Sequence, residues 1–228
     1  YYQSRTKEVT RIMSLQTIIN NSTFITFDQK KVAGQSMSRS GRLLTAELAS
    51  AVPFRFTVGM HEGLKYSTNR DLISSIDQLD ITEETTINIG SSNSGMAYIT
   101  NALGTPFTGT LTATSATGST LVVNTSSASG SGNLFKKGDL ISLGSSYRYP
   151  YFVTADVAWS GSSVSVPLHR PFINQASYTV SGKAVLIGKD VTWTVKMLNK
   201  PAVSVVPHDR AVFASDFELI EVVRKEDG

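Results

Sequence analysis

Three histidines, His61, His169 and His208, are the residues from which a catalytic triad or a zinc site would have to be built. A triad needs a carboxylate that orients the imidazole beside a nucleophile. Zinc needs ligands at short fixed spacings such as HExxH. The three are dispersed, and His169 in PLHRP and His208 in PHD stand beside turn-forming prolines, so both are expected in loops or at strand ends. Four carboxylates, Asp77, Asp80, Glu83 and Glu84, lie close enough in sequence to suggest a calcium or glycosidase site. The glycine-containing calcium loop is missing and no hydrolase spacing is matched, so a solvated helix end is the simpler assignment. No catalytic, metal or cofactor residue is expected, and the chain reads as a non-enzyme.

Two other groups bear on binding. Lys30, Lys31, Arg39, Arg42 and Arg55 make the first third basic, but no GxxxxGK[ST] phosphate loop occurs. A charged surface facing acidic patches on a neighbouring subunit accounts for the same residues. Tyr147, Tyr149, Tyr151 and Phe152 gather around Pro150, where they could stack on sugars, form a hydrophobic seam or anchor an interface. In KKGDLISLG, Gly138 and Asp139 read as a turn, with the Asp139 carboxylate bonding local backbone amides rather than acting as an acid.

The bulk properties agree with a packed, weakly charged protein. Of 228 residues, 40% are hydrophobic and only 17% charged, with a net charge of +3, which argues against disorder and against a highly charged nucleic-acid binder. There is no cysteine, so packing or contacts with other chains must supply the stability, and assembly in a reducing cytoplasm fits. No run approaches the roughly 20 apolar residues of a membrane-spanning helix, so membrane insertion is not expected. Residues 1–12 are polar and basic, and Met13 opens MSLQTIINN like a translation start, so 1–12 is expected to be a peripheral arm.

The elements are mostly strands. Thr23 to Phe27 is β-prone, and VAGQSMSRSGR reads as strand, turn and extended strand. In FRFTVGM, Phe54, Phe56 and Val58 share one face and Arg55 and Thr57 the other, as a half-buried strand requires. A helix is predicted over Asn69 to Asp80, with Leu72, Ile73, Ile76 and Leu79 on one stripe, Thr68 or Asn69 as the cap, and Asp71 in the first turn. From Thr85 to Phe135 no charged residue occurs, so this stretch is either flexible or buried in an assembly. Within it, Thr110 to Thr114 and Thr120 to Asn124 read as a hairpin around Gly118, and SSASGSGN as a loop. Later runs follow at the roughly 8–12-residue spacing of a small barrel or sandwich. In DVTWTVKML, Val191, Trp193, Val195 and Met197 face one way, and DFELIEVVR reads as a last strand. Two modules are expected, an outer one of residues 13–103 and 184–228 and a small β module, 104–183, inserted into it.

Two stretches carry a resemblance. SLQTIINNSTFITFDQKKVAGQSMSRSGRLLTAELASAVPFRFTVGM followed by NRDLISSIDQLD resembles the opening of distal-tail or baseplate-hub subunits of bacteriophage tails. FKKGDLISLGSSYRYPYFVTADVAWSGSSVSVPLHRPF is similar to the small β module inserted in phage tail and virion proteins. The resemblance implies a mainly β fold, a tube-type split β barrel with one packed helix and an inserted small β barrel or sandwich. It further implies a homo-oligomeric ring at the tail tip, hexameric, bound to other tail and baseplate proteins. DNA would pass through its lumen without sequence-specific binding, and the chain would be a virion component assembled in the host cytoplasm. Arg39, Arg42, Phe54, Arg55 and Phe56, with Tyr147, Tyr149, Tyr151 and Phe152, are the expected subunit contacts. The rivals are a tube or connector protein elsewhere in the tail, a glycan-binding tail adhesin using the tyrosines, and a cell-envelope hydrolase.

Overall fold

The computed structural model describes residues 15–29, 33–37, 43–47, 53–61, 63–79, 81–89, 108–144, 149–173 and 178–223. The chain is mainly β, with 48% of the described residues in strands against 12% in helices, and a curled sheet forms a half barrel. That sheet is antiparallel, in the order Ser22–Asp28, Arg55–Met60, Phe217–Glu221, Trp193–Asn199, Thr85–Ile87. The alternation read from the sequence decides which face is buried. Phe54, Phe56 and Val58 point inward, as do Val191, Trp193, Val195 and Met197, while Arg55 is exposed.

Two helices close the inner face. The first, α1, is described over residues 15–20, and the sequence had not led us to expect it. Leu15, Ile18 and Ile19 fall at i, i+3 and i+4 and all enter the core. A reciprocal pair fastens it to the sheet edge: Gln16 Nε2 donates to the Asn88 carbonyl at 2.8 Å, and the Asn88 amide donates to Gln16 Oε1 at 2.8 Å. The second, α2, runs over Tyr66–Asp77, three residues ahead of the predicted span, with a break from helical geometry at Asn69 (φ −110°, ψ 18°). Leu72, Ile73 and Ile76 are buried as the stripe requires, while Leu79 packs on the core from beyond the helix end.

Neither Thr68 nor Asn69 caps α2, and Asp71 lies past its first turn. The cap comes instead from a distant hairpin. Asp209 accepts from the Ser67 amide at 2.8 Å and from the Ser67 hydroxyl, and its carbonyl accepts from the Tyr66 amide at 2.9 Å. That hairpin pairs Val203–Val206 with Arg210–Phe213, which in turn pairs with Leu64–Lys65. Its turn holds His208 and Asp209 at φ 71° and 58°, a left-handed conformation that glycine or asparagine usually supplies.

A second core lies between the Thr85–Ile87 and Trp193–Asn199 strands in sequence. Thr112–Thr117, Thr120–Asn124 and Ser163–Pro167 form one of its sheets, and Gly118 at φ 55° serves the predicted hairpin turn. Leu111, Leu121, Val123, Leu134 and Phe135 fill this core. The uncharged stretch is therefore folded within its own chain over 108–135, and the expectation of an arm that orders only between subunits is corrected there. Part of SSASGSGN also differs from a plain loop, since Ala128–Ser129 pairs with Thr108–Gly109.

The two cores share a middle layer. Tyr151–Phe152, Leu140–Leu143 and Val185–Ile187 form a three-stranded sheet whose faces are buried on opposite sides. Leu140, Phe152 and Leu186 pack into the half-barrel core, whereas Ile141, Leu143, Tyr151, Val185 and Ile187 pack into the second. All four residues of LISL are buried for this reason, as in any strand covered on both faces. Val185–Ile187, which lies beyond the boundary expected from the sequence at 184, pairs with Leu140–Leu143 and with nothing in the half-barrel sheet. The turn before it matches expectation: Gly138 adopts φ 96°, and Asp139 Oδ2 accepts from the Lys136 amide at 2.8 Å.

Candidate functional site at the junction of the cores

The densest polar arrangement among the described residues lies where the second core meets the half-barrel sheet. Glu221 follows Phe217 and Leu219 on the inward face of its strand, so strand geometry alone drives a carboxylate into the interior. A buried carboxylate is costly unless it is paired and hydrogen-bonded. Arg170 meets it end-on, with Nη1 and Nη2 each 2.8 Å from a Glu221 oxygen. Nη2 also donates to the Pro150 carbonyl at 2.8 Å, and the Phe54 amide donates to Glu221 Oε2 at 3.0 Å. The guanidinium lies over the Phe54 and Tyr151 rings, 5.0 and 5.3 Å from their centroids.

His169 stands next to this pair. Its Nδ1 accepts from the Phe152 amide at 2.9 Å, while its own amide donates to the Phe152 carbonyl at 3.0 Å. Its ring packs against Phe54 and Phe152, with centroids 5.6 and 5.5 Å away. Burial, with the Arg170 charge adding to it, pushes the imidazole down to about 4, so the ring is neutral at pH 7. Burial also pushes the Tyr151 phenol well above its usual range, and its oxygen accepts from the Ile173 amide at 3.0 Å. Glu221, Arg170, Tyr151 and the His169 Nδ1 are each bonded at the meeting of the two layers, while the His169 Nε2 is buried without a hydrogen-bond partner. The arrangement is a structural clamp.

The residues expected at subunit contacts are distributed differently from that expectation. Phe54 and Phe56 are 2% and 1% exposed, and Tyr149 and Tyr151 are 8% and 2% exposed, all packed within their own chain. These four side chains therefore have almost no surface left in the single chain, where they serve its own cores. Phe152 is half-buried and stacks on Phe27 at 5.9 Å. Arg55 is exposed, opposite Asp28 in the register. Arg39, Arg42 and Tyr147 lie outside the described residues, as do Lys30, Lys31 and Asp80.

His61 and His208 are exposed and far apart in sequence, and among the described residues no three His, Asp or Glu side chains gather as a metal site. Glu83 and Glu84 are exposed beside the end of α2, where Glu84 lies 3.6 Å from Lys196 and the Asp77 carbonyl accepts from Lys200 at 3.0 Å. Such exposed pairs contribute little.

Sequence reasoning missed Arg170 and Glu221, although one signal was present. In FELIE the charge at 221 falls on the same face as Phe217 and Leu219, and a charge on an apolar face implies a buried partner. It also missed the hairpin, where Val205, Val206 and Val212 are 60%, 37% and 37% exposed. Phe24, Ile81 and Leu198 are the other large apolar side chains left in solvent among the described residues. No family model and no curated protein matches this chain.

Proposed function

We propose that this chain is a structural, non-enzymatic subunit of a phage tail tip, a distal-tail or baseplate-hub component that assembles as a homo-oligomeric ring. In this reading the curled sheet is part of a tube-type split barrel that neighbouring copies complete, hexamerically, around a lumen that DNA traverses. Residues 104–183 act as an inserted β module facing other baseplate proteins. The observation that carries the reading is a strand edge that no described strand covers. Among the described residues, Val203–Val206 is the outermost strand of its sheet, contains no charge, pairs with its neighbour without a bulge, and has no buried residue. Proteins that stay monomeric usually guard such an edge with charges, prolines within the strand or bulges. A ring built from head-to-tail contacts can use an edge of this kind. Among the described strands, Ser22–Asp28 is an edge of the half-barrel sheet and carries the exposed Phe24, which supplies a second such surface.

The test is the mass of the purified protein in solution across a wide concentration range, by light scattering after size exclusion, alone and with tail proteins. A closed oligomer of defined stoichiometry is expected. A chain that stays monomeric at high concentration and with tail proteins present overturns the reading. Electron microscopy of particles carrying a tag fused after Gly228 then locates the subunit in the virion.

A further inference from the structure

We propose that His169 is an acid-sensitive latch on the junction between the two cores, closed while its imidazole is neutral and released when the ring takes up a proton. The geometry supplies the mechanism. Neutral Nδ1 accepts the Phe152 amide at 2.9 Å, and a proton on that nitrogen removes the acceptor. The new cation would stand beside Arg170, the neighbouring residue, in a pocket walled by the Phe54 and Phe152 rings.

The titratable and charged groups around the ring are few. Arg170 and Tyr151 come from the second core's side, and Glu221 from the half-barrel sheet, where both of its oxygens are already bonded to Arg170. Among the described residues around the ring, the one carboxylate is thus already bonded to Arg170 when a second positive charge arrives. The strand carrying Phe152 belongs to the layer shared by both cores, so loss of this bond loosens the place where they meet.

The sign follows from the shift. The closed junction holds the imidazole at about 4, against 6.5 for an ordinary histidine. Opening therefore binds a proton between these values, and the closed form is fully favoured only above about 6.5. Below that, the opening equilibrium rises by up to about tenfold per pH unit and levels off once the closed form is protonated too.

The experiment combines histidine NMR titration of the full chain with amide exchange at Phe152 and His169 from pH 7.5 to 4. The expected result is that His169 titrates far below 6.5 and that protection at Phe152, corrected for intrinsic rates, falls across the same interval. In His169→Asn the side-chain oxygen keeps an acceptor near the Nδ1 position and cannot titrate, so the fall should vanish while Glu221 remains as it was. If the variant loses protection with the same pH profile as the wild type, the latch is overturned. An ordinary histidine titration with Phe152 protection unchanged overturns it as well, and that wild-type measurement stands even if the variant does not fold.

Discussion

The core junction and the Val203–Phe213 hairpin treat apolar and charged side chains in opposite ways. At the junction, Arg170 and Glu221 are 4% and 3% exposed, bonded to each other and to backbone, and enclosed by Phe54 and Tyr151. In the hairpin Val205 is 60% exposed, and contact with the rest of the chain is concentrated at Ala211, Phe213 and the Asp209 turn. The junction spends its aromatic rings and its ion pair inside one molecule. The hairpin leaves its aliphatic surface uncovered. Among the described residues, exposed apolar side chains are found in the hairpin and at Phe24, Ile81 and Leu198, and the aromatic residues Phe54, Phe56, Tyr149 and Tyr151 are buried.

The comparison breaks most directly at the clamp. Replacing Glu221 by Ala leaves a buried guanidinium without its partner and should cost about 3 to 5 kcal/mol in urea unfolding. Arg170→Met combined with Glu221→Met should restore most of that loss, because both charges are then gone. A double variant as unstable as the single one would show that the pair does more than neutralise itself. Next in size, Ile18→Ala should cost about 3 kcal/mol in the same measurement by leaving a cavity under α1. A negligible change would remove that helix from the half-barrel core.

Asp209→Ala tests how the hairpin is held. It removes the side-chain part of the α2 cap, so amide exchange at Ser67 should quicken while the core amides keep their protection. The Asp209 carboxyl is held below its usual range by the Ser67 hydroxyl and amide. Its contribution is present above the unfolded-state value and should be lost as pH falls through the lowered one. The smallest stability effect is expected from Val205→Lys, within about 0.5 kcal/mol of wild type by urea unfolding, because the site is exposed. Its effect should appear in oligomer mass, where a charge on an edge strand opposes pairing. Unchanged assembly in this variant would place the contact elsewhere.

What the sequence determined by itself are the features set by residues within a few positions of each other. The alternation in FRFTVGM and DVTWTVKML, the Gly138–Asp139 turn and the apolar stripe of α2 were all legible, because strand and helix periods and turn chemistry act locally. Helix α1 escaped because the described turn and a half, residues 15–20, carries only three apolar residues, which is too few to set a helical period. The hairpin escaped because its turn is made by His208 and Asp209 where glycine would have marked it.

Tertiary structure alone decided the rest. Asp209 caps a helix 142 residues away, Glu221 accepts from the Phe54 amide across 167 residues, and Arg170 reaches Glu221 across 51. The strands at 140–143, 151–152 and 185–187 each send side chains into both cores, which no single strand's pattern assigns to two different cores. Local pattern fixes which way a side chain points from its own backbone. Only the folded chain decides whether a partner, a second core or solvent is waiting there.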